Sequence, residues 1–146
     1  MIQSFNDLKV IKRRVLKIAI YYYSGAGNTK FIVNKINRQL KELQHETNLV
    51  KITNNSILNV KNYDTYIVGF PIYDLTSPQL VKDLLANIKD RNRPISFFCT
   101  KAFASGESIK ELSELSNKHN LQTIATMELY MHEILMKKSI FLYLKY

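Results

Sequence analysis

The stretch SGAGNT, residues 24 to 29, holds the residue types best suited to grip an anion. It contains two of the chain's four glycines, Gly25 and Gly27, with Ser24, Asn28 and Thr29 as short polar donors. Glycine lets a backbone curl closely around a ligand, and a helix beginning at such a loop offers free N–H groups and a partial positive charge. The chemistry that fits is binding of a phosphate by neutral donors, Lys30 being the one nearby cation. The pattern GxxxxGK[ST] of nucleoside triphosphatases is absent, and so is GxGxxG, since Lys30 stands where the third glycine belongs. A tight strand-to-helix turn capped by Ser or Asn is the alternative use of the same residues.

Other reactive side chains lack partners at useful spacing. His45, His119 and His132 have no HxxH pattern or paired carboxylate, so a surface or capping role is expected and no metal site. Cys99 is the sole cysteine, which excludes an internal disulfide and a cluster needing about four thiolates. It reads as a buried, inert thiol. No residue needs to act as an acid, base or nucleophile.

The elements around the loop follow from hydropathy. Leu16 to Tyr23 is a nearly continuous apolar run, as in a strand buried on both faces. Ile32, Val33, Ile36, Leu40 and Leu43 keep to one face of a helix over residues 29 to 43. Further strands are expected at Asn48 to Thr53 (with Leu49 and Val50 strongest), Thr65 to Phe70, Ile95 to Thr100 and Leu121 to Tyr130. One helical turn fits residues 56 to 59. A second helix opens at Ser77-Pro78, Ser as N-cap and Pro as first helical residue, and buries Leu80, Val81, Leu84, Leu85 and Ile88. A third runs from Ser108 to Asn117, with Ser108 and Glu111 spaced as a capping box. Strands alternating with helices imply βαβ units, hence an α/β fold with a parallel sheet and helices on both faces.

The 146 residues fit a single domain, with residues 1 to 14 as an N-terminal extension and 131 to 146 as an unassigned tail. No apolar run approaches the ~18 residues of a membrane span. The N-terminus does not read as a secretory signal, and a reducing, cytoplasmic setting is expected. Lys and Arg number 21 against 12 Asp and Glu, a net charge of +9, which suits acidic partners or merely scattered lysines.

The stretch YYYSGAGNTKFIV resembles the phosphate loop of flavodoxins, written S/T-x-T-G-N-T, matching at Ser24, Gly27, Asn28 and Thr29 and departing at Ala26. GFPIYDLTSPQ (69 to 79) resembles that family's second loop, and FFCTKAFASGES (97 to 108) stands where its third belongs. The resemblance spans residues 15 to 130 and is nearest to the flavodoxin portion of bacterial ferredoxin-fused proteins, whose cluster this chain cannot hold. It implies a three-layer sandwich with a five-stranded parallel sheet in the order 2-1-3-4-5. It further implies FMN as cofactor, with Ser24, Gly25, Ala26, Gly27, Asn28 and Thr29 around its phosphate. Tyr73 would stack on the ring, with Ile72, Asp74 and Leu75 along its edge and Pro71 stiffening the loop, while Thr100, Lys101, Ala102 and Phe103 would cover its pyrimidine side, Phe103 as a second stacking candidate and Gly106 allowing close backbone approach. Tyr73 also reads as a surface tyrosine, and Phe103 as packing under the third helix. The implied function is electron transfer between redox proteins, docking through acidic partner surfaces, with nucleic acid not expected. Reduction of a small substrate such as a quinone, or a binding module with a degenerate flavin site, are the other readings.

Overall fold

The computed structural model describes residues 14–54, 63–87 and 92–131. The turn expected at 56 to 59, Ile88, nearly all of the N-terminal extension and the tail from residue 132 lie outside the described residues.

The chain runs β1 (Lys17–Tyr22), α1 (Asn28–Glu42), β2 (Glu46–Lys51), β3 (Thr65–Pro71), α2 (Gln79–Ala86), β4 (Pro94–Lys101), α3 (Ser108–Lys118) and β5 (Gln122–Tyr130). The strands form one sheet in the order β2-β1-β3-β4-β5, and every neighbouring pair is parallel. This is the expected α/β architecture. Parallel strands need crossovers, and the helices that supply them cover the sheet from both sides.

Periodicity two explains which residues face which layer. Ala19, Tyr21, Tyr66, Val68, Phe70, Ile95, Phe97 and Cys99 pack with Val81, Leu84 and Leu85 of α2 and Leu112 of α3. Ile18, Ile20 and Phe98 point the other way, onto Ile32, Val33, Ile36 and Leu40 of α1. Gly69 pairs with Phe98 across β3 and β4, and the ring of Phe98 covers the space a Cβ on Gly69 would occupy. The Gly69 carbonyl accepts the Tyr23 N–H at 2.9 Å, where the first loop begins.

The edge strands differ from the expectation. β2 starts at Glu46, two residues before the predicted start, because polar residues pair there as well as apolar ones. Leu49 is exposed, and Val50 is half-buried and packs at the margin of the core. β5 alternates exposed and half-buried positions, and its register slips so that Ile95 pairs with Thr123 but Ser96 with Ala125. Ile124 is the extra residue of this bulge. Ahead of β1, the Leu16 N–H donates to His45 Nδ1 at 3.2 Å, a capping use of that histidine.

Two expected caps are not formed. Pro78, not Ser77, is the N-cap of α2, and its carbonyl accepts from Val81 at 3.0 Å and Lys82 at 3.4 Å. Ser77 is buried, and its Oγ has no hydrogen-bond partner among the described residues. In α3 the Glu111 N–H goes to the Glu107 carbonyl at 2.8 Å. The Ser108 hydroxyl faces the carbonyls of Ser105 (2.8 Å) and Leu75 (3.0 Å) instead of making a capping box.

Candidate functional site

In an open parallel sheet, ligands bind beyond the carboxyl ends of the strands where strand order reverses. Here that point lies between β1 and β3, with β1 connecting outward to β2 and β3 continuing to β4. Three loops meet there, following β1, β3 and β4.

In the first loop, Gly27 is the N-cap of α1 with φ 96°, a left-handed conformation that suits glycine. Gly27 has no side chain with which to cap the helix, and the first turn holds no acidic residue. Gly25, Ala26 and Gly27 are exposed, and the space where a Cβ on Gly27 would point is open. Anions are favoured at such an end, because first-turn N–H groups lack intrahelical partners. Among the polar side chains, Ser24 Oγ accepts the Lys30 N–H at 3.3 Å and Asn28 Nδ2 faces Met131 Sδ at 3.7 Å. Thr29 is buried, its hydroxyl 2.9 Å from that of Thr100.

The second loop begins as Pro71 closes β3 and the Ile72 N–H donates to the Thr100 carbonyl at 2.9 Å. Residues 73 to 76 form a tight turn, the Thr76 N–H reaching the Tyr73 carbonyl at 3.0 Å. Asp74 (φ 49°) and Leu75 (φ 61°) are both left-handed, as in a type I′ turn. Strain of this kind gathers at functional loops. Tyr73 is half exposed, and its hydroxyl lies 2.6 Å from where a Cβ on Gly25 would stand. The first and second loops therefore touch at Gly25 and Tyr73.

The third loop joins the second through Gly106, where a Cβ would come within 2.6 Å of the Leu75 carbonyl oxygen. Gly106 has φ 57°, so its close backbone approach is to Leu75. Phe103 is 83% exposed, which overturns the reading that it packs under α3. Ala102 is exposed beside it.

Lys101 requires a correction. It is the last residue of β4 rather than part of the loop, and only 4% of its surface is exposed. Its Nζ pairs with the Glu128 carboxylate of β5, donates to Ser105 Oγ at 3.3 Å and lies 4.6 Å from the centroid of the Tyr130 ring. Ser105 Oγ in turn donates to Glu128 Oε1 at 2.6 Å. The hydrogen bond from Lys101, then that from Ser105, holds the Glu128 carboxyl below its ordinary range against an opposing effect of burial. Burial is the largest single influence on Lys101 and pulls its pKa down. The hydrogen bond and charge of Glu128, with Tyr130, together outweigh it, and the net shift is upward. Cys99 is pushed up to about 12, first by burial and then by the Glu128 charge, with Lys101 opposing. It is an inert thiol at neutral pH, as its sequence position suggested.

Thr100 also differs from its expected place. Its side chain is 2% exposed and turned to Thr29, on the α1 side of the sheet. Glu128, Ser105 and Ser108 were not legible as site-forming residues. Glu128 meets Lys101 only because β4 and β5 pair with Cys99 opposite Glu128 and Lys101 opposite Tyr130.

Glycine-bearing loops at the carboxyl ends of a parallel sheet of this order define a flavodoxin-like α/β protein. The chain belongs to the Flavodoxin domain family, whose sequence profile matches residues 19–124. A flavoprotein from Lactobacillus acidophilus, solved in complex with FMN, is 20% identical, with 86% of this chain and 100% of that one covered and a TM-score of 0.64. Two-electron reduced flavodoxin from Megasphaera elsdenii is also 20% identical, covering 77% and 85%, with a TM-score of 0.68. Oxidised Flavodoxin 2 from Bacillus cereus is 23% identical, covering 78% and 84%, with a TM-score of 0.69. At these identities the likeness is one of fold. No curated protein matches the chain. Among the described residues, no helix is long and apolar enough to cross a membrane.

Proposed function

We propose that this chain binds FMN at the three loops and passes electrons between redox partner proteins in the cytoplasm. The observation that carries the reading is the N-terminus of α1, where left-handed Gly27 is the N-cap, the first turn holds no acidic residue and the backbone from Gly25 to Gly27 is exposed. That combination suits a phosphate monoester, whereas a plain turn gains about 1 kcal/mol by placing Ser or Asn at the N-cap itself. Membership of the Flavodoxin domain family and the FMN complex of the Lactobacillus acidophilus relative support it.

On this reading residues 24 to 29 hold the phosphate through backbone N–H groups and the Thr29 hydroxyl. Pro71 and Ile72 border the ring, Tyr73 stacks on it, and Ala102, Phe103 and Gly106 line its other edge. When bound, FMN supplies the electron chemistry, and the chain supplies orientation and electrostatics. Tyr73 and Phe103 present exposed aromatic faces for such a ring. Lys101 brings no free charge to the site, because Glu128 balances it. Docking charge comes instead from α1, where exposed Lys30, Arg38 and Lys41 stand against Glu42, and this favours a partner with an acidic surface.

Flavin-fluorescence titration tests the cofactor assignment. FMN is expected to bind at least ~10-fold more tightly than riboflavin, the scale of one hydrogen bond to a charged group. Equal affinities would remove the phosphate-loop assignment. Electron transfer to an acidic partner should slow steeply with salt, as the Debye length falls from about 10 Å at 0.1 M to about 3 Å at 1 M.

A further inference from the structure

We infer that Thr100 is a positioning residue for the phosphate loop, acting through the hydroxyl of Thr29. The inference rests on the FMN reading above and deepens it.

Thr29 is 1% exposed and Thr100 is 2% exposed, so neither hydroxyl draws on bulk water. Their oxygens are 2.9 Å apart, although the residues are 71 positions apart in sequence. Each hydroxyl has one proton to give and two lone pairs to receive. One of the two must therefore donate to the other, and the proton of the acceptor is left for a third group. When Thr100 donates, the Thr29 proton is left for another acceptor, which on the FMN reading is the phosphate. When Thr29 donates, it has nothing to give an anion there. Thr100 thus sets which way the Thr29 hydroxyl points, by rotation of two O–H bonds and without any net proton transfer.

The same residue fixes a second loop. The Thr100 carbonyl accepts the Ile72 N–H at 2.9 Å, and its successor Lys101 is the last residue of β4 before the third loop. Thr100 is therefore bonded to the first helical turn through its side chain and to the second loop through its backbone. A hydroxyl buried at this junction costs stability unless it is paired. A Val of the same shape would fill the space and supply no hydrogen bond. In the structure the Thr100 hydroxyl is used on Thr29.

The experiment measures dissociation constants for FMN and for riboflavin in the parent and in Thr100→Val, Thr100→Ser, Thr29→Val and the Thr29→Val/Thr100→Val double variant. The readout is the riboflavin-to-FMN ratio, which a loss of packing alone would not move. Thr100→Val is expected to lower the ratio about 10-fold with riboflavin affinity unchanged, and Thr100→Ser to restore it. The double variant should match Thr29→Val, because Thr100 acts through Thr29. An unchanged ratio in folded Thr100→Val, a Thr100→Ser variant no better than Thr100→Val, or additive losses would each overturn the inference. Thr100→Ala, which leaves a small space rather than a second methyl group, takes the place of Thr100→Val if the latter does not fold. A parent that does not discriminate FMN from riboflavin would remove the cofactor reading and this inference with it. A parent that discriminates, with variants that do so equally, would remove only the role of Thr100.

Discussion

Lys101 and Glu128 form an ion pair where β4 and β5 end, with Ser105 donating to the same carboxylate. The pair pins the beginning of the third loop to the edge strand. Removing one partner of a fully buried pair costs roughly 3–5 kcal/mol. The Glu128 side chain is 39% exposed, however, so screening brings the expected loss for Glu128→Gln nearer ~1 kcal/mol. Its pH dependence has two limbs. The Glu128 carboxyl is lowered in the fold, so its contribution is complete above the unfolded value of about 4.3 and fades as pH falls through the folded one. Lys101 is raised, so its contribution is complete below about 10.4 and fades as pH rises through the folded value. Thermal melts should show the parent exceeding Glu128→Gln by about 2–4 °C between those limits, with the gap closing at either end. A gap independent of pH would mean that the two charges do not stabilise each other.

Gly25 and Tyr73 supply a second prediction. A methyl group at residue 25 would meet the Tyr73 hydroxyl at 2.6 Å, but the ring carbon behind it only at 3.7 Å. Tyr73 is half exposed and can swing aside, so Gly25→Ala should alter stability by no more than about 0.5 kcal/mol. If Tyr73 stacks on the flavin, Gly25→Ala should weaken FMN binding as Tyr73→Ala does. Adding Tyr73→Phe, which removes the clashing oxygen, should recover most of the loss. Fluorescence titration of the three variants checks this, and no recovery by Tyr73→Phe would separate Tyr73 from the ring.

Ser77 gives the third. Its buried Oγ lacks a partner among the described residues, so it carries a desolvation cost with no return. Ser77→Ala should stabilise the fold by about 1 kcal/mol, or raise the melting temperature by roughly 2–4 °C. A lower melting temperature would show that the hydroxyl is engaged.

The sheet was legible because its three central strands are apolar on both faces, as Ile18, Ala19 and Ile20 illustrate, while α1 keeps its apolar residues to one side. The glycines of the first loop were legible because so few residues suit a left-handed N-cap. Side-chain partnerships were not. Ser77-Pro78 and Ser108 with Glu111 have the spacing of caps, yet Pro78 serves as one N-cap and the Ser108 hydroxyl is drawn to Leu75 and Ser105, parts of other loops. Lys101 looked like a loop cation because its partner lies 27 residues on, in a strand whose register a bulge displaces. Thr100 looked like a ring contact because its place at a strand end is visible in sequence and the direction of its side chain is not. Local pattern reports the periodicity of one segment, whereas these contacts depend on how two segments align.

The pairing of Gly69 with Phe98 constrains the order in which this sequence can change. An added Cβ on Gly69 would come within 2.1 Å of the Phe98 ring, which is 2% exposed and packed against α1. Gly69→Ala alone should therefore cost about 1–3 kcal/mol or more, and it would also push on the carbonyl that holds Tyr23 at the start of the first loop. After Phe98→Leu the same alanine enters a space already opened, so the double variant should be more stable than the sum of the single losses allows. A lineage can acquire a side chain at residue 69 only by first shrinking residue 98. The path between the two states is ordered in both directions, residue 98 changing first on the way out and last on the way back, so that the first loop is never strained.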